Sequence, residues 1–268
     1  MDYKFLKYTT DERVATITFN NPSRYNAFSS IMKKEFTNAI AKADEDDQIR
    51  VIIVTGAGGK AFSTGYDLNE PVARRSVTDF RKGIADDFDF TYTVWSCSKP
   101  VIARIEGYCL AGALEFAQMC DIRYCSEDSK FGVVESRFSG GVATLAMPWI
   151  IGARCRELIY TGDTIGANEA KEMGLVNRVF PKDRLEVETM KLAKRMSLIA
   201  MACLHWNKRA INQTYDIMGF GSATTYGKEA CLLLKIDSPE YEEFDLLRRE
   251  KGVKEALKWR DAQFKKYE

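Results

Sequence analysis

The chain of 268 residues is 46% hydrophobic and 29% charged, enough apolar material for a sizeable core and too much for a disordered chain. Its 39 Lys plus Arg stand against 38 Asp plus Glu, a net charge of +1, so no overall field draws it to nucleic acid or to an anionic membrane, and neither is an expected partner. Any anionic ligand has to be met by local groups.

The strand signal comes first at Val14-Ala15-Thr16-Ile17-Thr18-Phe19, β-branched and alternating, and Asn20-Asn21-Pro22-Ser23 stops it. Ser29 or Ser30 is placed to cap a helix in which Met32, Phe36, Ile40 and Ala43 recur at helical spacing up to the acidic break at 44–47. The run Val51-Ile52-Ile53-Val54-Thr55 predicts a strand covered on both faces, closed by Gly56-Ala57-Gly58-Gly59. Residues 77–96 predict an amphipathic lid, with Asp86, Asp87 and Asp89 on a solvated face beside Phe88, Phe90, Tyr92 and Trp95. Further strands are predicted over 100–105 and 121–125. Strands alternating with helices over two thirds of the chain predict the α/β class.

Beyond Pro181 the strand signals stop. Helices are predicted over 190–201, 206–218, 226–235 and 253–264, broken at Gly219-Phe220-Gly221 and Ser238-Pro239. The expected division is a core over 1–195 and a helical lobe over 196–268 that covers the site and takes part in assembly.

Seven cysteines, at 97, 109, 120, 125, 155, 203 and 231, include no Cys-x-x-Cys pair and read as packed, reduced thiols. The single histidine, His205, excludes a histidine-rich metal site, and no metal is expected. Met1 to Leu6 lacks the pattern of a leader, and no uncharged apolar run is long enough for a membrane span, so the expected location is the cytoplasm.

Chemistry concentrates in three segments. Ala61-Phe62-Ser63-Thr64-Gly65-Tyr66-Asp67-Leu68 and Glu106-Gly107-Tyr108-Cys109-Leu110-Ala111-Gly112-Ala113-Leu114-Glu115 each end a strand-like run in a small-residue loop predicted to open a helix. Backbone N–H groups at such places lack partners and can converge on one oxygen that gains negative charge. Glu115 falls in a first helical turn, where the dipole favours a carboxylate in any protein; its apolar neighbours Leu114, Phe116 and Ala117 aim it at a cleft. Phe131-Gly132-Val133-Val134-Glu135 supplies a second carboxylate, for which a strand-end ion pair with Arg137 is the alternative.

These segments, together with Asn20 to Ala27, Val54-Thr55-Gly56, Lys99 to Ala103, Cys120-Asp121-Ile122, Thr161-Gly162-Asp163 and Ala170 to Asn177, resemble the crotonase (enoyl-CoA hydratase/isomerase) family over nearly the whole length. The resemblance implies a spiral of β-β-α units with a C-terminal helical lobe, assembly as a homotrimer or dimer of trimers, and an acyl-coenzyme A substrate, with coenzyme A as part of the substrate and no separate cofactor. It assigns the enolate-stabilising N–H groups to Tyr66 and Gly112, the water to Glu115, and the α-proton to Glu135. Coenzyme A and the acyl group are expected against Arg24, Ala27, Ser63, Thr64, Asp67 and Leu68, with Arg24 by the phosphates. Retention of both glutamates favours a hydratase over an isomerase, a thioester hydrolase or a decarboxylase; an idle oligomeric binding protein is the alternative from another class.

Two departures from the family pattern stand out. The segment after Glu135 is shortened and lacks a proline until Pro148, and Arg137 within it suggests either a polar acyl group or a structural ion pair. Near the C-terminus, Ala256 and Trp259 occupy positions where the family offers a Phe and a Lys to the nucleotide, with Lys258 or Arg260 as substitutes.

Overall fold

The structure, a computed structural model, describes residues 2–70, 76–141 and 146–267. Numbered along the chain, the larger sheet contains β1 (Leu6–Asp11), β2 (Val14–Phe19), β3 (Val51–Gly56), β5 (Val101–Ile105), β7 (Ile122–Ser126) and β10 (Arg178–Phe180), side by side in that order. The smaller sheet contains β4 (Ala61–Ser63), β6 (Tyr108–Leu110), β8 (Lys130–Gly132) and β9 (Thr164–Gly166). Pairing is parallel except for β1 with β2 and β8 with β9.

The helices are α1 (Ser30–Glu45), α2 (Val77–Ser96), α3 (Gly112–Met119), α4 (Met147–Ile151), α5 (Cys155–Thr161), α6 (Ala167–Met173), α7 (Lys182–Met196), α8 (Met201–Ile217), α9 (Phe220–Ile236), α10 (Pro239–Lys251) and α11 (Val253–Ala262). After α1 the chain repeats one unit: a strand of the larger sheet, a strand of the smaller, then helix. The units β3-β4-α2 and β5-β6-α3 are complete, and β7-β8 leads to the short helices α4 and α5. This is the expected spiral of β-β-α turns.

Residue chemistry accounts for the main elements. The Ser29 hydroxyl accepts the Met32 N–H at 3.2 Å and caps α1, which buries Met32, Phe36, Ala39, Ile40 and Ala43 at the predicted spacing. β3 is apolar from Val51 to Val54 because both faces are covered: Ile52 and Val54 face the main core, while Val51 and Ile53 pack with Met190 and Ala193 of α7. Phe19 centres the core, its ring 4.9 Å from that of Phe28 and 5.4 to 5.6 Å from those of Phe36, Phe62 and Phe116. Burial of each such ring contributes about 1.5–3 kcal/mol.

Some expectations are corrected. Ala61 to Leu68 does not open a helix directly; α2 starts at Val77, where Ser76 and Asp79 form a capping box. The helix expected over 190–201 is broken at 197–200, because Arg50 donates to the carbonyls of Ser197 at 3.1 Å and Ile199 at 3.0 Å and holds the turn. Strand β1, an edge with only Leu6 buried, and the three-residue strands of the smaller sheet fall below a periodicity signal. All seven cysteines are free thiols, and Cys203 is exposed rather than packed. Among the described residues, no helix is long and apolar enough to cross a membrane.

Candidate active site

The first loop is shaped by Ser63 and Gly65. The Ser63 hydroxyl accepts the Gly65 N–H at 3.2 Å, and Gly65 takes φ +91°, a conformation that favours glycine. Phe28 donates to the Gly65 carbonyl at 2.8 Å, and Asp67 donates to the Phe28 carbonyl at 3.1 Å. Successive groups on an extended backbone point to opposite sides, so the Tyr66 N–H is turned away from Phe28.

The second loop comes from β6 into α3. Ala111, at φ +52° and ψ −132°, is strained for a residue with a Cβ; its N–H donates to the Gly132 carbonyl at 2.9 Å, and its carbonyl takes the Leu114 N–H at 2.8 Å. Gly112 is the first residue of α3, where an N–H has no partner inside the helix. The loops touch: a Cβ on Gly65 would lie 3.0 Å from the Gly112 nitrogen, and a Cβ on Gly112 would lie 2.4 Å from the Tyr66 ring. Among the described residues, neither the Tyr66 nor the Gly112 N–H meets an acceptor.

Glu115, one turn into α3, is 3% exposed, and Glu135, in a single 3-10 turn over Val134–Phe138, is 8% exposed. The surface roles open to both in the sequence are thereby removed. Among the described residues Glu135 Oε2 has no hydrogen-bond partner, and burial first, then the Glu115 charge, hold its carboxyl well above the usual 4.5. Arg137 turns from Glu135 to Asp163, at 2.6 Å, and lies 4.4 Å from the Phe264 ring centre. The structural ion pair is therefore the reading the fold supports for Arg137, and it joins the Glu135 turn to the loop after α5.

Tyr66, Gly112, Glu115 and Glu135 line one cleft of about 1520 Å³, as do Arg24, Ala27, Thr64, Asp67 and Leu68. Ser63 does not; it is fully buried and its hydroxyl is occupied by the loop turn. Arg24, exposed, pairs with the buried carboxylate of Asp67 at 2.9 Å, so Asp67 orients the cation. The Leu68 carbonyl takes a hydrogen bond from Arg248 at 2.9 Å, which ties the first loop to α10.

The C-terminal departures resolve unequally. Ala256 is fully buried with Phe138 and Phe244, and Trp259 packs against the same cluster. Of the substitutes, Arg260 lines the cleft and Lys258 does not. Of the shortened segment after Glu135, Gly140 and Gly141 line the cleft, while residues 142–145 lie outside the described residues.

Sequence reasoning missed Lys33, Asp87 and Cys231, all on the cleft wall. Asp87 was expected on a solvated face, yet it is 8% exposed and pairs with Lys33 at 2.5 Å. A signal was present: Ile84, Asp87, Thr91 and Val94 share the buried stripe of α2, and a carboxylate in an apolar stripe needs a partner.

The sequence matches the profile of the enoyl-CoA hydratase/isomerase family over residues 9–227. It is 32% identical to the short-chain enoyl-CoA hydratase of Clostridium acetobutylicum, over 75% of this chain and 78% of that protein. The crystal structure of an enoyl-CoA hydratase/isomerase from Xanthobacter autotrophicus superposes with a TM-score of 0.94 at 35% identity, covering 98% of this chain and 99% of that one. An enoyl-CoA hydratase from Mycobacterium smegmatis superposes at 0.90 with 26% identity, covering 98% and 96%. With the β-β-α spiral and the two facing loops, these matches establish that the chain belongs to the enoyl-CoA hydratase/isomerase family.

Proposed function

We propose that the protein is an enoyl-CoA hydratase-type lyase that adds water across, or removes it to form, the α,β double bond of an acyl-coenzyme A thioester. The observation that carries the reading is the pair of buried carboxylates, Glu115 and Glu135, in one cleft with two backbone N–H groups that meet no acceptor among the described residues. In the hydration direction the thioester oxygen accepts from the Tyr66 and Gly112 N–H groups. Glu115 takes a proton from water as the water oxygen bonds to the β-carbon, and the π electrons of the double bond move onto the carbonyl as an enolate. Glu135 then gives its proton to the α-carbon, and the proton held by Glu115 restores it through exchange. The raised Glu135 carboxyl suits it to this acid role. The N–H pair stabilises the enolate without side-chain reorganisation.

Coenzyme A is the substrate's own handle in this reading, with no separate cofactor and no metal, and its phosphates lie toward Arg24 with the nucleotide near Thr64. Residues 196–268 act as a cover and as the assembly surface of a homotrimer or a dimer of trimers. Leu198, Trp206, Ile211, Ile217 and Met218 lie exposed along α8 and its ends, and large apolar side chains exposed close together suit an assembly surface. Free thiols throughout support a cytoplasmic location.

The test is hydration of short enoyl-CoA thioesters, read by mass, with Glu115→Gln and Glu135→Gln. Hydration adds one water, isomerisation adds nothing and hydrolysis frees coenzyme A. Each variant is expected to lose about 10²–10⁴ in kcat; near-wild-type hydration by both overturns the reading.

A further inference from the structure

One wall of the cleft carries a charge pair that the proposed chemistry does not use. Lys33 of α1 and Asp87 of α2 face each other there, with only 16% and 11% of their side chains exposed. The Lys33 ammonium has three donors and, among the described residues, one acceptor, Asp87 Oδ1. Asp87 Oδ2 has no partner among the described residues, and the carboxylate borders the cavity.

The pair adjoins the reacting end. Lys33 lies 5.5 Å from the centre of the Tyr66 ring, and the Tyr66 hydroxyl makes long contacts of 3.3 Å with the Asp87 carbonyl and with Thr91 Oγ1. Tyr66 is the residue whose backbone N–H faces the thioester oxygen, so its side chain runs from the carbonyl site to the pair. Gly83, one helical turn before Asp87, also lines the cleft. A glycine inside a helix costs about 1 kcal/mol relative to alanine, and at this position it brings no side chain to the cleft.

We propose that this wall selects an acyl group with a hydroxyl beyond its β-carbon, held between the Lys33 ammonium and the Asp87 carboxylate. A plain alkyl chain seated here strips water from the pair and returns no hydrogen bond. An acyl carboxylate meets the Asp87 charge. A hydroxyl donates to Asp87 Oδ2 and accepts from Lys33, which satisfies both. The inference rests on the hydratase reading for the orientation of the acyl group.

Binding tests it independently of turnover. Hexanoyl-CoA and its 4-, 5- and 6-hydroxy derivatives are titrated calorimetrically into the full chain. At least one hydroxylated thioester is expected to bind about tenfold more tightly than hexanoyl-CoA, the worth of one hydrogen bond to a charged group. Lys33→Met with Asp87→Leu, which removes both charges together, brings the ratio near one, and Asp87→Asn, which keeps the shape, lowers it severalfold. The proposal is overturned when hexanoyl-CoA binds as tightly as all three derivatives, or when the ratio survives both variants. The matching 2-enoyl thioesters are then assayed for hydration. Absence of hydration alongside an intact binding preference overturns the hydratase reading and leaves the hydroxyl selection supported.

Discussion

A Cβ placed on Gly112 would lie 2.4 Å from Cε2 and 2.7 Å from Cδ2 of Tyr66. The residues proposed to offer the two backbone donors are thus in direct contact, the ring of one lying on the bare Cα of the other. The ring itself is confined, 6.1 Å from Phe28 and 5.5 Å from the Lys33 ammonium. Its hydroxyl is held well above the ordinary phenol range by burial first, and then by Asp87 and Glu115.

Gly112→Ala is therefore expected to displace Tyr66 and spread the two N–H groups apart. Overpacking of this kind costs about 1–3 kcal/mol of stability, whereas loss of one aligned donor costs about 10²–10³ in kcat. Steady-state kinetics beside thermal unfolding separate the two, with a folded protein of strongly reduced kcat as the expected outcome.

Glu135→Gln is expected to stabilise the fold while it removes activity. Below the usual carboxyl value of 4.5, the group is protonated in both folded and unfolded chains and contributes no pH dependence. Between that value and the raised folded one, the folded chain keeps a proton that the unfolded chain releases, so wild-type stability falls as pH rises. Above the folded value the penalty is complete. The difference in Tm between the variant and wild type, measured from pH 4.5 to 8, should therefore grow in favour of glutamine with rising pH. A difference that shrinks toward high pH contradicts the buried, proton-holding Glu135.

Lys208, 7% exposed, anchors the helical lobe. Its ammonium donates to the carbonyls of Val94 at 2.9 Å and Lys99 at 3.1 Å and to Asp121 at 2.8 Å, which fastens α8 to α2 and to the start of β5. Asp121 in turn accepts the Val101 N–H at 2.7 Å. Lys208→Ala leaves the Val94 and Lys99 carbonyls without their donor and the partly exposed Asp121 without its cation, and is expected to cost about 1–3 kcal/mol. Urea unfolding reads the loss directly.

The proposed subunit interface predicts a change of mass in solution. Trp206 and Ile217, 60% and 78% exposed, lie on the apolar face of the helical lobe. Trp206→Asp with Ile217→Asp is expected to convert a trimer or hexamer into a monomer, seen by light scattering on a sizing column. A wild-type chain that elutes as a monomer removes the interface.

Length, composition and periodicity by themselves determined the α/β class, β2, β3, β5 and β7, α1 with its cap, and the helical tail, because each is a local pattern that burial reads with one period. The loop at Gly112 was legible for a related reason, since it opens a helix whose first N–H groups are unpaired whatever surrounds them, whereas the loop at Gly65 was legible only as a small-residue turn after a strand. Tertiary structure alone decided which polar side chains entered the cleft. Glu135 sits in local sequence that suits a surface carboxylate equally well; the apolar neighbours of Glu115 and the stripe around Asp87 pointed inward, but only packing from distant segments removed water from all three. Arg137 could pair with Glu135 by sequence proximity, but it met Asp163 because the loop after α5 folds back on the Glu135 turn. Lys33 and Asp87 are 54 residues apart, and no local periodicity encodes a contact across that distance. Desolvation and charge pairing are properties of neighbours in space, and for this cleft the neighbours come from α1, α2, α3 and α9 to α11 at once.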